Sequence, residues 1–141
     1  MIPEVLFKAM FALFSAVIAL LDIRKGELPR VAFIIVFPVF LVCKVMLGRF
    51  PLLESTTGFL IALTIFLLAF FISGGKLGLA DVWYSALTGM VLGPCLWYGA
   101  IGLACAGAII VILVSGRRRI PFLPLMAFGS ITMIISIGLQ R

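Results

Sequence analysis

The sequence predicts an all-α protein that crosses a membrane about six times as a bundle of helices. Of its 141 residues, 65% are hydrophobic and only 11% are charged, and the mean hydropathy is +1.36. Soluble domains and disordered chains do not have this balance. The apolar residues form long runs, and short stretches rich in charge, proline or glycine separate them. This pattern is typical of a single polytopic membrane domain covering residues 1–141.

The first three predicted spans cover residues 4–21, 31–47 and 55–73. The first span ends at a short charged stretch that begins with Asp22 and contains Pro29, a residue that stops a helix. This span has no basic leading region and its apolar run is long, so it is not predicted to be a cleaved signal peptide. The second and third spans are separated by a turn at residues 48–51.

The fourth predicted span is short, because its helix begins near Asp81, covers residues 82–93 and is interrupted at Gly93 and Pro94. About 12 helical residues extend only ~18 Å at 1.5 Å per residue. The hydrocarbon core of a bilayer is ~30 Å thick. Asp81 is therefore predicted to lie below the lipid surface, reached by the glycine-rich stretch that precedes it.

The fifth and sixth predicted spans cover residues 96–115 and 121–139. Trp97 and Tyr98 at the start of the fifth span predict a membrane–water interface there. Small residues recur every fourth position on the fourth and fifth spans, which predicts close helix packing. They are Gly89 and Gly93 on the fourth span and Ala100, Ala104 and Ala108 on the fifth.

Asp81 is the residue that most needs an explanation. A carboxylate at bilayer depth costs at least ~2.5 kcal/mol, so such a residue usually has a function. On a helix, Asp81 shares a face with Ser85 and Thr88, and Tyr84 borders that face. The spacing predicts a polar stripe that points into the bundle. A stripe that only joins helices together is the alternative interpretation.

The basic residues predict which side of the membrane each loop occupies. Loops after the first, third and fifth spans hold seven basic residues, and the opposite side holds four. The positive-inside rule then places Asp22 and Asp81 on the cytoplasmic side of the inner (plasma) membrane and both termini outside. The seven are Arg24, Lys25, Arg30, Lys76, Arg117, Arg118 and Arg119; the four are Lys8, Lys44, Arg49 and Arg141.

Two carboxylates that face one cavity can act as the catalytic pair of an aspartic protease. Like charges a few ångströms apart cannot both ionise readily, so the pair shares one proton. The ionised member takes a proton from the attacking water, and the neutral member donates one to the peptide carbonyl oxygen. This chemistry requires no metal or cofactor. A proton-coupled transporter could use the same two residues.

The composition also excludes several other classes of function. The chain has no histidine, which rules out serine–histidine and cysteine–histidine hydrolases and ordinary histidine–metal sites. Cys43, Cys95 and Cys105 lack CxxC spacing and are predicted to be small buried apolar residues. The net charge of +6 is attributed to orientation and to contact with anionic lipid rather than to nucleic acid.

Three stretches resemble the motifs of the type IV prepilin peptidases. Asp22, the basic loop after it and the Leu28-Pro29 pair resemble the family's first aspartate motif. Residues 78–81 resemble its Gly-x-Gly-Asp motif, and residues 121–129 resemble the proline–phenylalanine segment that opens its last helix. The resemblance implies that Asp22 and Asp81 are catalytic. It also implies that the chain removes the leader peptide of prepilin-like membrane proteins at the cytoplasmic face, in type IV pilus assembly or protein secretion.

The chain differs from the family pattern at three positions. Ala80 replaces the usual second glycine, Trp83 stands where a lysine is usual, and Arg30 replaces a common asparagine. The cysteine-bearing cytoplasmic insertion of longer members is absent, so the resemblance does not extend to their N-methyltransferase activity. Two further interpretations stay open. One is a proton-coupled transporter, and the other is a catalytically silent relative in a pilus or secretion assembly.

Overall fold

The computed structural model describes residues 2–25, 30–46, 52–116 and 121–139. These residues form five helices, and the described part of the chain contains no strand, which confirms the all-α prediction. The first, third and fourth helices are long and apolar enough to cross a membrane, whereas the other two contain shorter apolar stretches. The helices are α1 (Ile2–Lys25), α2 (Arg30–Met46), α3 (Leu52–Ile72), α4 (Leu79–Ser115) and α5 (Phe122–Leu139).

The predicted fourth and fifth spans are joined in α4, which is broken at Gly93. Gly93 has non-helical backbone angles (φ 77°, ψ 171°), a conformation that glycine adopts readily. Four residues after the break, the Trp97 indole N–H donates to the Ser85 hydroxyl at 3.1 Å. On a straight helix these residues would be ~18 Å apart along the axis. The chain therefore turns back at Gly93, and a first arm (residues 79–92) meets a second arm (residues 94–115).

A buried lysine lies at this break. Pro94 has no amide hydrogen, so it cannot donate to the Met90 carbonyl as an ordinary helical residue would. The Lys44 ammonium donates to the Met90 carbonyl and, at 3.4 Å, to the Val91 carbonyl. Lys44 is 4% exposed, and Glu54 in the first turn of α3 attracts its charge. A cation at the carboxyl end of a helix is favoured by the helix dipole, so Lys44 stabilises the end of the first arm.

Small residues set the closest approaches between helices, as their spacing predicts. Gly58 of α3 faces Gly89 of the first arm, and a Cβ on either would collide with the carbonyl of the other. On the second arm, the Ala100 carbonyl lies against Gly129 of α5 in the same way. Small residues let helix backbones approach closely. As a result, α4 packs more extensively against α3 and α5 than any other pair of helices in the described residues.

Aromatic side chains join α1 to α2 and to α4. The Phe40 ring of α2 lies 5.6 Å from the Phe7 and Phe14 rings and 5.8 Å from the Phe11 ring, measured between centroids. The fully buried Phe11 ring also stacks on Tyr84 of α4 at 6.4 Å. These contacts fill the space where the α1 and α4 backbones do not pack closely.

Trp97 is buried within the protein (1% exposed), because the second arm folds back and the indole packs against Phe66 at 6.2 Å. The membrane–water interface at Trp97 and Tyr98 stays a prediction. The prediction that the cysteines are buried is wrong. Cys95 and Cys105 are exposed, and Cys43 is half-buried, because they face outward from their helices. The outer surface also carries many large apolar side chains, such as Ile34. A continuous apolar surface of this kind is suited to lipid.

Candidate active site

Asp22 lies in the last turn of α1 rather than in the loop after it. The helix continues to Lys25, three residues beyond the aspartate, because charged residues can extend a helix past the end of an apolar run. The Asp22 side chain is half-buried, while Ile23 and Arg24 are exposed. Residues 26–29, which complete the first motif, lie outside the described residues.

Asp81 lies in the first turn of α4, which begins at Leu79, three residues before the predicted span. Gly78 is the N-cap and has extended backbone angles (φ −67°, ψ 139°). The Asp81 carboxylate turns back over Gly78, where its Oδ2 would lie 3.1 Å from a Cβ, and the Gly78 backbone amide acts on its charge. This is the placement of the third helical residue in a capping box, which faces the N-cap amide. The Gly-x-x-Asp spacing therefore starts the helix and fixes the direction of the carboxylate.

The structure brings the two predicted site residues within range of electrostatic repulsion. Asp22 and Asp81 lie far apart in the sequence, yet the charge of Asp22 acts on Asp81. Both side chains are half-buried, so they keep some access to water. A partly desolvated pair of carboxylates disfavours the state in which both are ionised. This is the electrostatic condition for a pair that shares one proton and can act as acid and base.

The polar stripe that follows Asp81 points into the protein, as predicted. Tyr84, Ser85 and Thr88 are each 0% exposed. Ser85 accepts the Trp97 indole N–H, and the Thr88 hydroxyl donates to the Tyr84 carbonyl at 2.8 Å. Every polar atom of this stripe that is buried has a hydrogen-bond partner. Tyr84 joins α4 to α1 and Ser85 joins the two arms of α4, whereas Thr88 bonds within its own helix. The helix-joining interpretation therefore holds for Tyr84 and Ser85.

The Tyr84 hydroxyl is the centre of a group that we call the hydroxyl cluster: Tyr84, Ser15, Thr88 and Ser130. It donates to the Ser15 hydroxyl of α1 at 2.8 Å, and the hydroxyls of Thr88 and of Ser130 in α5 lie close to it. Those two hydroxyls donate to the backbone carbonyls of Tyr84 and Met126. Sequence reasoning missed Ser130. The available signal was a serine within the apolar last span, which also holds Thr132 and Ser136, and the sequence does not show which of them faces another helix.

Trp83 occupies a groove on the outside of the protein. It is 42% exposed and lines a cavity of about 330 Å³ together with Phe33, Ile34 and Phe37 of α2. The groove begins two residues along the chain from Asp81. Residues two apart on a helix do not face each other, and neither aspartate lines this groove, so Trp83 lies on a different face of α4 from Asp81.

The third motif packs into the interior at the start of α5. Leu123, Met126 and Ala127 are each 1% exposed, and the Phe122 ring lies 6.3 Å from Phe66 of α3. These contacts attach α5 to α3 and α4. The motif therefore contributes packing, and in the described residues it brings no ionisable side chain to the aspartates.

Comparison of the chain with protein-family models, with curated proteins and with solved structures finds no match. The assignment of a function therefore rests on the three motifs and on the geometry of the aspartate pair.

Proposed function

We propose that this chain is an aspartic endopeptidase of the inner (plasma) membrane, that it cleaves the leader peptide from prepilin-like membrane proteins, and that Asp22 and Asp81 are its catalytic residues. The observation that carries the proposal is that these two carboxylates, from α1 and α4, lie near enough for the charge of Asp22 to act on Asp81 within an apolar helical protein. The sequence motifs around both residues support the same activity.

The two carboxylates perform the reaction without a further group from the protein. The ionised carboxylate takes a proton from water while the water oxygen bonds to the carbonyl carbon of the scissile peptide. The neutral carboxylic acid donates its proton to the carbonyl oxygen, which gives a tetrahedral intermediate. The carbon–nitrogen bond then breaks, the nitrogen receives a proton, and a new carboxyl group and a new amine leave.

The proposed arrangement in the membrane has six spans: α1, α2, α3, the two arms of α4, and α5. The first arm extends roughly 20 Å at 1.5 Å per residue, which is less than the hydrocarbon thickness of ~30 Å. A short first arm is consistent with an aspartate end that is recessed in the membrane and open to the cytoplasm. The basic residues support this orientation, with both termini outside.

The test is co-expression of the chain with candidate prepilin-like precursors, followed by a gel for leader removal and mass spectrometry of the new amino terminus. Asp22→Asn and Asp81→Asn should each abolish cleavage and leave expression and membrane insertion near normal. The asparagine in Asp81→Asn can still accept the Gly78 N–H, so the helix start is preserved while the ionisable group is lost.

Glu54→Gln is the matched control, because Glu54 is an exposed carboxylate in the first turn of α3. The far end of α3 connects to the start of α4, so Glu54 lies away from the aspartate pair. Because Glu54 attracts the charge of Lys44, its loss bears on stability rather than on the aspartates, and this variant should cleave at the wild-type rate per folded protein. Cleavage at that rate by either aspartate variant would contradict the proposed chemistry.

A further inference from the structure

The hydroxyl cluster links the helices that hold the two aspartates. Ser15 lies seven residues before Asp22 on α1, or ~10 Å along the helix, and Tyr84 lies one turn after Asp81 on α4, or ~4.5 Å. The bond between the Tyr84 and Ser15 hydroxyls measures 2.8 Å. Each aspartate therefore lies within two helical turns of one end of a single side-chain hydrogen bond.

This link matters because the α1 and α4 backbones are not closely packed. α1 packs mainly against α5, and α4 packs mainly against α3 and α5. The direct contacts described between α1 and α4 are made by side chains. They are the stacking of Phe11 on Tyr84 and the Tyr84–Ser15 hydrogen bond, and the charge of Asp22 also acts on Asp81 across the same pair of helices. The hydrogen bond is the one among these that has a defined direction and length.

The link is also isolated from water. Tyr84 and Ser15 are 0% exposed, and Ser130 of α5, which lies near the same hydroxyl, is 1% exposed. In such surroundings no water replaces a lost partner, so removal of one hydroxyl leaves others unpaired. A fully bonded buried cluster holds its helices in one arrangement.

We propose that Tyr84 is a positioning residue whose hydroxyl, by bonding to Ser15, sets the separation of Asp22 and Asp81. Ser130 of α5 lies beside the same hydroxyl, and its own hydroxyl donates to the Met126 carbonyl. The geometric part of this proposal stands on the described contacts, and only its consequence for cleavage rests on the proposed function. Tyr84 itself does not touch the reacting atoms.

The geometric test measures that separation directly. In a background with the three native cysteines replaced by alanine, Asp22→Cys and Asp81→Cys are combined and treated with bifunctional thiol reagents of increasing span. Adding Tyr84→Phe should shift the most efficient reagent to a different span and lower the yield with the original one. Tyr98→Phe is the control, because Tyr98 is the other tyrosine of the chain and is 54% exposed.

Ser15→Ala removes the other end of the bond with a smaller change, and it should shift the reagent span in the same direction. It keeps the test decisive if the phenylalanine variant fails to fold. If both variants show the same favoured span and yield as the Tyr98→Phe control, the positioning proposal is wrong whether or not the chain is a protease.

The functional test uses a prepilin-like precursor that the wild-type chain cleaves. Tyr84→Phe should lower kcat roughly ten- to a hundredfold with KM nearly unchanged, because a misplacement of about 1 Å can cost about a hundredfold. Combining it with Ser15→Ala should add little, since both remove one bond. An unchanged kcat would overturn the catalytic consequence. A shifted separation in a chain that cleaves no precursor would leave the positioning role standing and count against the proposed function.

Discussion

Replacing Lys44 by methionine should destabilise the break in α4. Methionine has a similar length and no branching, so Lys44→Met keeps most of the side-chain packing and removes the ammonium. The Met90 and Val91 carbonyls then lose the donor that bonds to them. Pro94 cannot replace that donor for Met90, because it has no amide hydrogen.

The expected loss is about 2 kcal/mol of unfolding free energy. An unsatisfied buried carbonyl costs about 1–3 kcal/mol, and a cation at a helix carboxyl end contributes up to ~2 kcal/mol. The variant regains the cost of burying a charge, which in proteins is several kcal/mol. That recovery offsets part of the loss. The net loss of unfolding free energy is therefore expected near the lower end of the sum of the carbonyl penalties and the helix-end contribution.

Thermal unfolding in detergent, followed by the fluorescence of Trp97 in a Trp83→Phe background, measures this loss. Trp97 reports on the two arms because its indole bonds to Ser85 across the break. The melting temperature of Lys44→Met should fall by several degrees, while Lys76→Met, at an exposed lysine, should change little. Equal stability of the two methionine variants would refute the role assigned to Lys44.

Three further predictions concern packing, the external groove and orientation. Gly89→Ala should cost about 1–3 kcal/mol because its Cβ collides with the Gly58 carbonyl. Gly102→Ala, with nothing within 4 Å of its Cβ, should be nearly neutral in the same melting assay. Trp83→Lys should retain or improve leader cleavage, since Trp83 faces the groove; complete loss with normal folding would show that the site depends on the indole. A reporter fused after Arg141 should be active only outside the cytoplasm, and activity inside would mean a missed or an extra span.

Local signals in the sequence were sufficient for much of the fold. Apolar runs mark the helices, and the Gly93–Pro94 pair marks the break, because both features act on the backbone where they occur. The structure has five helices in its described residues rather than six. The reason is that the helix resumes directly after Gly93, so both arms belong to α4. The stripe of Ser85 and Thr88 was predictable from its helical spacing alone.

Features that depend on contacts between helices could not be predicted from the sequence alone. The charge pattern places Lys44 near an interface, but its burial depends on carbonyls that become available only when α4 breaks. Tryptophan is a residue type that is common at membrane interfaces, yet Trp97 is buried within the protein because the second arm folds back. The role of Ser130 follows from which face of α5 meets Tyr84. The hydropathy pattern of α5 does not show which of its faces meets Tyr84.

Some features of the two aspartates were predictable from the sequence, and others were not. Their positions at the ends of apolar segments were evident from the sequence, and the motif resemblance paired them. The extension of α1 to Lys25 and the capping contact between Asp81 and Gly78 were not predicted. Both depend on how the helix termini satisfy their backbone groups.

The most direct test of the central claim measures peptide cleavage and proton movement in the same vesicles. The purified chain is reconstituted with a prepilin-like precursor and a metal chelator, with a pH-sensitive dye inside. The wild type should remove the leader in the presence of the chelator and carry no protons across the membrane. Asp22→Asn and Asp81→Asn should each be inactive in cleavage. Proton flux that requires both aspartates, without any leader removal, would contradict the proposed protease activity and identify the pair as proton carriers.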